Sequence, residues 1–191
     1  MEISICEIYF FLKKLNQYEE GIYFTIKSLI RYKFKSNKEL KDAINLYLSY
    51  NSFEEAYKKY FHISLWDTSL ITDMSYLFED TDNIYFFNEN LNGWDVSNVK
   101  SMECMFYNCI KFNKPLDNWD VGNVVNMKSM FSRCENFNQP INSWNVSKVE
   151  NLEEMFQSCK KFNQPLNEWD VSNVISMTGM FYEAESFNQP L

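Results

Sequence analysis

The chain has 191 residues, 46% hydrophobic and 18% aromatic, which is enough apolar material for a substantial core and excludes a disordered or collagen-like polymer. Its formal net charge of -8 is unevenly placed: residues 67 to 191 hold 18 Asp and Glu against 8 Lys and Arg, and residues 1 to 66 hold 8 against 10. An acidic array repels a phosphate backbone and the first third carries no basic stripe, so nucleic acid is excluded as the expected partner.

The chain opens on "MEISICEIYFFLKKL", which lacks a basic n-region and whose apolar run is cut by Lys13 and Lys14. No secretion signal and no membrane span are expected, and the setting is read as intracellular. "ICEIYFFLKKL" and "GIYFTIKSLIRYKF" are rich in aromatic and β-branched residues, so periodicity does not separate helix from strand; we read both as helical, broken at Gly21. "SNKELKDAINLYLSYN" places Leu40, Ala43, Ile44 and Tyr47 on one helical face after a start at Ser36 or Asn37. "SFEEAYKKYF" comes next as a second helix, with Ser52 and Glu55 in capping-box spacing. Residues 1–62 thus read as a mainly helical head that caps the remainder of the chain.

From residue 63 the grammar changes. Trp94, Trp119, Trp144 and Trp169 recur every 25 residues, and Trp66 precedes Trp94 by 28, which implies a three-residue insertion near "TDN" at 81 to 83. Five copies are written, the last incomplete at "FNQPL". In one copy the fixed apolar positions are Phe112, Leu116, Trp119, Val121, Val124, Met127, Met130 and Phe131, with Cys134 opening the next. Trp119 and Val121 alternate about Asp120 as a short strand does, and "VVNMKSMF" reads as a second extended or 3₁₀ stretch running into a helical turn. Pro115, Pro140, Pro165 and Pro190 fall before the first of these, where a missing N–H is tolerated. No single copy can bury its own Trp, Phe and two Met, so the copies are expected to stack.

These same residues resemble the BspA-like leucine-rich repeats, in the "FNxPLxxWDVSNVxxMxxMFxxA" version carried by bacterial surface proteins, mycoplasma lipoproteins, protists and large DNA viruses. The resemblance covers about residues 62 to 191. It implies a right-handed, leucine-rich-repeat-like solenoid of short β-strands and short 3₁₀ or helical turns, and adhesion or protein–protein binding as the role. Phe61 stands where Gly commonly precedes the His, "TSL" replaces "VSN" in the first copy, and Asn145 and Lys148 alter the copy around Trp144. Family members without signals in large DNA viruses, with a composition suited to an AT-rich genome, point to a host cytoplasm if the source is viral.

Chemistry finds few candidates. Cys109, Cys134 and Cys159 share a repeat position that Ala184 fills in the last copy, so the position asks for a small buried side chain; Cys6 and Cys104 are the remaining thiols. The column Asp67, Asp95, Asp120, Asn145 and Asp170 could gather oxygen ligands for Ca²⁺, but Asn145 shows that charge is dispensable, and turn-capping is the stronger reading. The column Asn88, Asn113, Asn138, Asn163 and Asn188 is expected to bond along the array. His62 is the single histidine and is read as a packing residue where the first copy begins. No catalytic residue, metal site or cofactor site is assigned.

What can bind is what varies between otherwise fixed copies. Lys100, Asn118, Val125, Lys128, Ser143, Glu150, Glu153, Glu168 and Ile175 are the candidate interaction surface. The expected function is non-enzymatic protein–protein recognition through the repeat surface. The alternative is a structural protein that self-associates through its C-terminal edge, since "FNQPL" stops at Leu191 in mid-copy and no atypical capping repeat is written.

Overall fold

The computed structural model describes residues 31–79 and 81–190. The helical reading of the first thirty residues, and Cys6, lie outside them. Residues 32 to 34, the end of "GIYFTIKSLIRYKF", are extended and not helical as expected: Phe34 N–H donates to the Asp67 carbonyl at 3.0 Å and Asp67 N–H to that of Tyr32 at 2.9 Å, forming a parallel bridge at Lys33.

Two helices come next, α1 (Asn37–Leu48) and α2 (Phe53–Tyr60). Ser36 is the N-cap of α1, its hydroxyl accepting from Glu39 N–H at 3.2 Å, and the face buried is Leu40, Ala43, Ile44 and Tyr47, as the periodicity requires. Ser52 occupies the N-cap of α2 but makes no side-chain cap bond, so the capping box does not form. Tyr32 donates to the Glu39 carboxylate at 2.6 Å, which pushes its phenol up to about 12.

The head closes the first copy. Trp66 is fully buried, with ring centroids of Phe34, Tyr47 and Tyr60 at 4.9, 5.7 and 5.9 Å. The insertion residue Asn83 ties back to the same helices, its amide donating to the Leu48 carbonyl at 3.1 Å.

The expectation of a leucine-rich-repeat solenoid built on β-strands is overturned. The described residues contain two α-helices, two single-turn 3₁₀ segments (Ile63–Leu65 and Ile84–Phe86) and no β-strand. Pairing between copies is reduced to isolated parallel bridges, one per copy, linking Asp73, Ser101, Asn126, Asn151 and Ser176. The physical reason lies on both sides of each bridge. Asn126 Oδ1 accepts from Lys128 N–H at 3.0 Å, closing a turn where a strand would continue. The next residue is left-handed in every copy: Tyr76, Cys104, Ser129 and Glu154 have φ of 55, 52, 52 and 55°, and Gly179 completes the column at 66°. Trp119 and Val121 do not form a strand either, because Asp120 Oδ1 accepts from Gly122 N–H at 3.0 Å and folds the chain over.

The copies, numbered one to five from Trp66 to Trp169, stack through side chains and through rows of backbone bonds, Met127, Ser129, Phe131 and Arg133 N–H each donating to a carbonyl of the next copy at 2.7 to 3.0 Å. From the second copy on, each tryptophan reaches back one copy: the indoles of Trp94, Trp119, Trp144 and Trp169 donate to the carbonyls of Ile63, Leu91, Leu116 and Ile141 at 2.8, 3.0, 3.1 and 3.1 Å. Phenylalanines stack in two parallel files, with Phe106, Phe131, Phe156 and Phe181 at successive 5.5, 5.8 and 5.7 Å, and Phe112, Phe137, Phe162 and Phe187 at 6.0, 6.0 and 5.9 Å. Offset contacts of this kind contribute about 0.5 to 1.5 kcal/mol each beyond their buried area. Leu116 therefore accepts from both the backbone and the following tryptophan. Trp144→Phe keeps the ring in place but leaves that carbonyl one bond short, and is expected to lower stability by about 1 to 3 kcal/mol in urea unfolding. A loss indistinguishable from zero would show that the indole contributes by packing alone.

Candidate functional site

The variable positions fall into three groups in space. Lys100, Val125, Glu150 and Ile175 form a continuous column, since Val125, Glu150 and Ile175 N–H donate to the carbonyls of Lys100, Val125 and Glu150 at 2.8, 2.8 and 2.7 Å. Lys100, Glu150 and Ile175 are exposed and Val125 is half-buried. Val125, Glu150 and Ile175 share a shallow groove of about 670 Å³ with Lys148, Ser172, Asn173 and Val174. Lys148 borders it by donating to Asn123 Oδ1 at 2.8 Å, taking over the inter-copy link that Asn98, Asn123 and Asn173 make through their amides.

Asn118, Ser143 and Glu168 are exposed beside the tryptophans. Asn118 and Glu168 N–H donate to Asn92 and Asn142 Oδ1 of the preceding copy at 3.0 and 3.1 Å, leaving their side chains outward of a fixed backbone.

Lys128 and Glu153 differ from the rest. They are half-buried and joined to each other at 3.1 Å, so much of their polar capacity is spent inside the stack. The same row holds Glu103, a hub that the repeat pattern alone does not single out: its carboxylate accepts from Tyr76 Oη at 2.6 Å and Asn126 Nδ2 at 3.0 Å. Its signal in the sequence is only that it stands 25 residues before Lys128. Ser129, next to Lys128 in the chain, is buried and donates to Glu154 at 3.2 Å. Two exposed aromatics were also missed, Tyr85 and Phe86 at 49% and 71% exposure, whose signal is that the other copies have no aromatic at those positions.

The acidic column is spent on turns. Asp67, Asp95, Asp120 and Asp170 each accept from the N–H two residues on at 3.0 Å, and Asn145 does the same at 3.2 Å. Asp67 shows the balance: burial raises its pKa, but bonds from Ser69 and the charge of Lys33 outweigh burial and hold it below the usual value. Among the described residues no group of three His, Cys, Asp or Glu could hold a metal ion.

His62 sits at the start of the first copy with Nδ1 2.8 Å from Ser64 Oγ and Nε2 3.5 Å from Glu89. The order hydroxyl, imidazole, carboxylate is that of an activated serine. Here, however, Ser64 N–H also donates to Nδ1 at 3.3 Å, so the ring caps the 3₁₀ turn Ile63–Leu65. That is structural work at the junction of head and array.

No helix among the described residues is long and apolar enough to cross a membrane. A family model described as "Mycoplasma protein of unknown function, DUF285" matches residues 30–132 and 115–191. The match begins inside the head, so the likeness is not confined to residues 62 to 191. No curated protein and no solved structure gives a significant match.

Cys109, Cys134 and Cys159 are buried and unpaired; Cys134 and Cys159 Sγ donate to the carbonyls of Phe106 and Phe131 at 3.0 and 2.9 Å. Burial pushes all three thiols well above their ordinary range. In a Cys6→Ser background, a thiol reagent is expected to modify Cys104 in the folded chain and the other three only after denaturant is added. Rapid native labelling of Cys134 would contradict the packing.

Proposed function

We propose a function from one premise: the chain belongs to the DUF285 family of mycoplasma proteins of unknown function. Within it, the "FNxPLxxWDVSNVxxMxxMF" sentence aligns this chain with the BspA-like members. The chain is a non-enzymatic recognition protein that binds another protein through the side chains that differ from copy to copy.

One observation carries this reading. The repeated side chains are consumed by the stack, as buried apolar rings or hydrogen bonds, whereas Lys100, Asn118, Glu150, Glu168 and Ile175 are exposed on backbone bonded to the neighbouring copy and Ser143 is exposed beside Trp144. A rigid ladder with changeable outward positions offers shape and charge without an ordering cost on binding. The acidic balance of the repeats favours a partner with a basic face. The buried, unpaired cysteines fit the reducing interior of a cell. A shallow groove between Lys148 and Ile175 is part of this surface.

Glu150 and Glu168 lie in different columns, so Glu150→Lys with Glu168→Lys inverts charge on both while leaving the stack intact. Proteins bound by the intact chain and released by this double variant, with its unfolding midpoint unchanged, are the expected result. Equal retention by both chains would remove the variable surface from consideration, and a small-molecule turnover that depends on Ser64 and His62 would replace recognition with catalysis.

A further inference from the structure

The negative charge of the repeats is concentrated at copy one. Residues 67 to 99, which are copy one and the first residues of copy two, hold seven Asp and Glu and no Lys or Arg. In the same stretch, the insertion near residues 81 to 83 leaves a cavity of about 230 Å³ between copies one and two, with Glu79, Tyr85 and Tyr107 in its wall together with Phe78 and Ile84. Glu79 and Tyr107 are counterparts in the repeat, 28 residues apart as Trp66 and Trp94 are. Tyr85 stands where the later copies carry Ile110, Glu135, Lys160 and Glu185, so the second ring belongs to copy one alone.

The wall is held in place from several sides. Thr81 Oγ1 donates to the Phe78 carbonyl at 2.8 Å, Phe86 N–H to that of Asn83 at 2.9 Å, and Lys111 N–H to that of Tyr85 at 3.2 Å. The carboxylates of later copies are matched within the array: Glu153 and Glu135 pair with Lys128 and Lys160 at 3.1 and 2.9 Å, and Glu154 and Glu183 accept from Ser129 and Ser158 at 3.2 and 2.9 Å. Among the described residues the half-buried Glu79 carboxylate has no such donor or cation. Tyr107 already attracts a guanidinium, since Arg133, which is not in the cavity wall, sets its Cζ 5.8 Å from the ring centroid.

An open carboxylate between two tyrosine rings, on the most acidic part of the chain, suits an organic cation. We propose that this cavity takes the charged end of a Lys or Arg side chain from a protein partner, with Glu79 supplying the opposite charge and Tyr85 and Tyr107 the cation–π walls. The cavity is smaller than the roughly 300 to 1,000 Å³ of pockets that enclose whole small-molecule ligands, which favours a side-chain end as the occupant. That the cation belongs to a protein rests on the recognition reading above; that it is a cation rests on the cavity itself.

The test titrates the intact chain with an acetylated, amidated Gly-Gly-Arg-Gly-Gly peptide at constant ionic strength and follows the ring protons of Tyr85 and Tyr107 by NMR. Saturable shifts are expected, and absent when citrulline replaces the arginine. Glu79→Gln and Tyr85→Ala are each expected to weaken binding by about fivefold or more, with Tyr85→Phe close to the unaltered chain. Glu150→Lys with Glu168→Lys leaves the shifts unchanged, because neither residue is in the cavity wall. Equal binding by Glu79→Gln with its unfolding midpoint unchanged, or by the citrulline peptide, would overturn the proposal. So would saturable shifts with tetramethylammonium or guanidinium chloride and none with the peptide, which would give the cavity to a free cation. A failed peptide titration leaves the release of proteins by the Glu150 and Glu168 double variant untouched, so this site and the recognition surface fail separately.

Discussion

The structure depends on one hydrogen bond repeated along the array. Asn88, Asn113, Asn138 and Asn163 each accept, through Oδ1, the backbone N–H of the asparagine one copy on, at 2.9, 3.0, 3.0 and 2.9 Å. The same oxygens of Asn113, Asn138 and Asn163 take a second donor from Gln139, Gln164 and Gln189 at 2.9, 3.0 and 2.9 Å. An amide oxygen has two lone pairs, so it can satisfy both donors while remaining neutral. A carboxylate could accept as well, but a file of carboxylates at copy spacing would repel itself. A serine would be too short to reach.

This bond fixes the offset at which everything else meets. Once the asparagines are in register, the phenylalanine files fall into stacking distance and each indole lands on the carbonyl of the preceding copy. The array therefore resembles a one-dimensional lattice in its energetics, each copy stabilised by its two neighbours. One consequence bears on function: the outward positions between these fixed points are free to vary.

Much of this is legible in the residues themselves. The 25-residue spacing of the tryptophans, the buried face of α1 and the asparagine column come from residue type and period alone. The error over strands has a specific source. Trp119, Asp120 and Val121 alternate as strand residues do, but the aspartate is committed to a local turn, and alternation over three residues cannot distinguish the two. The left-handed column is hidden because Tyr76, Cys104, Ser129 and Glu154 fill it, and glycine marks it in copy five alone. Of the site, the exposed columns through Glu150 and Glu168 can be read from variation, whereas the pairing of Lys128 with Glu153 cannot, since a surface charge and a half-buried bridge look alike in sequence.

The central claim is that copies are held by amide-to-backbone bonds that act on the next copy. Residue-resolved hydrogen exchange on an Asn113→Ala variant tests it most directly, because the bond removed is the one received by Asn138 N–H. The account predicts faster exchange at Asn138, with Asn163 and Asn188 retaining far more of their protection. Undiminished protection at Asn138, or equal loss at all three, would contradict it.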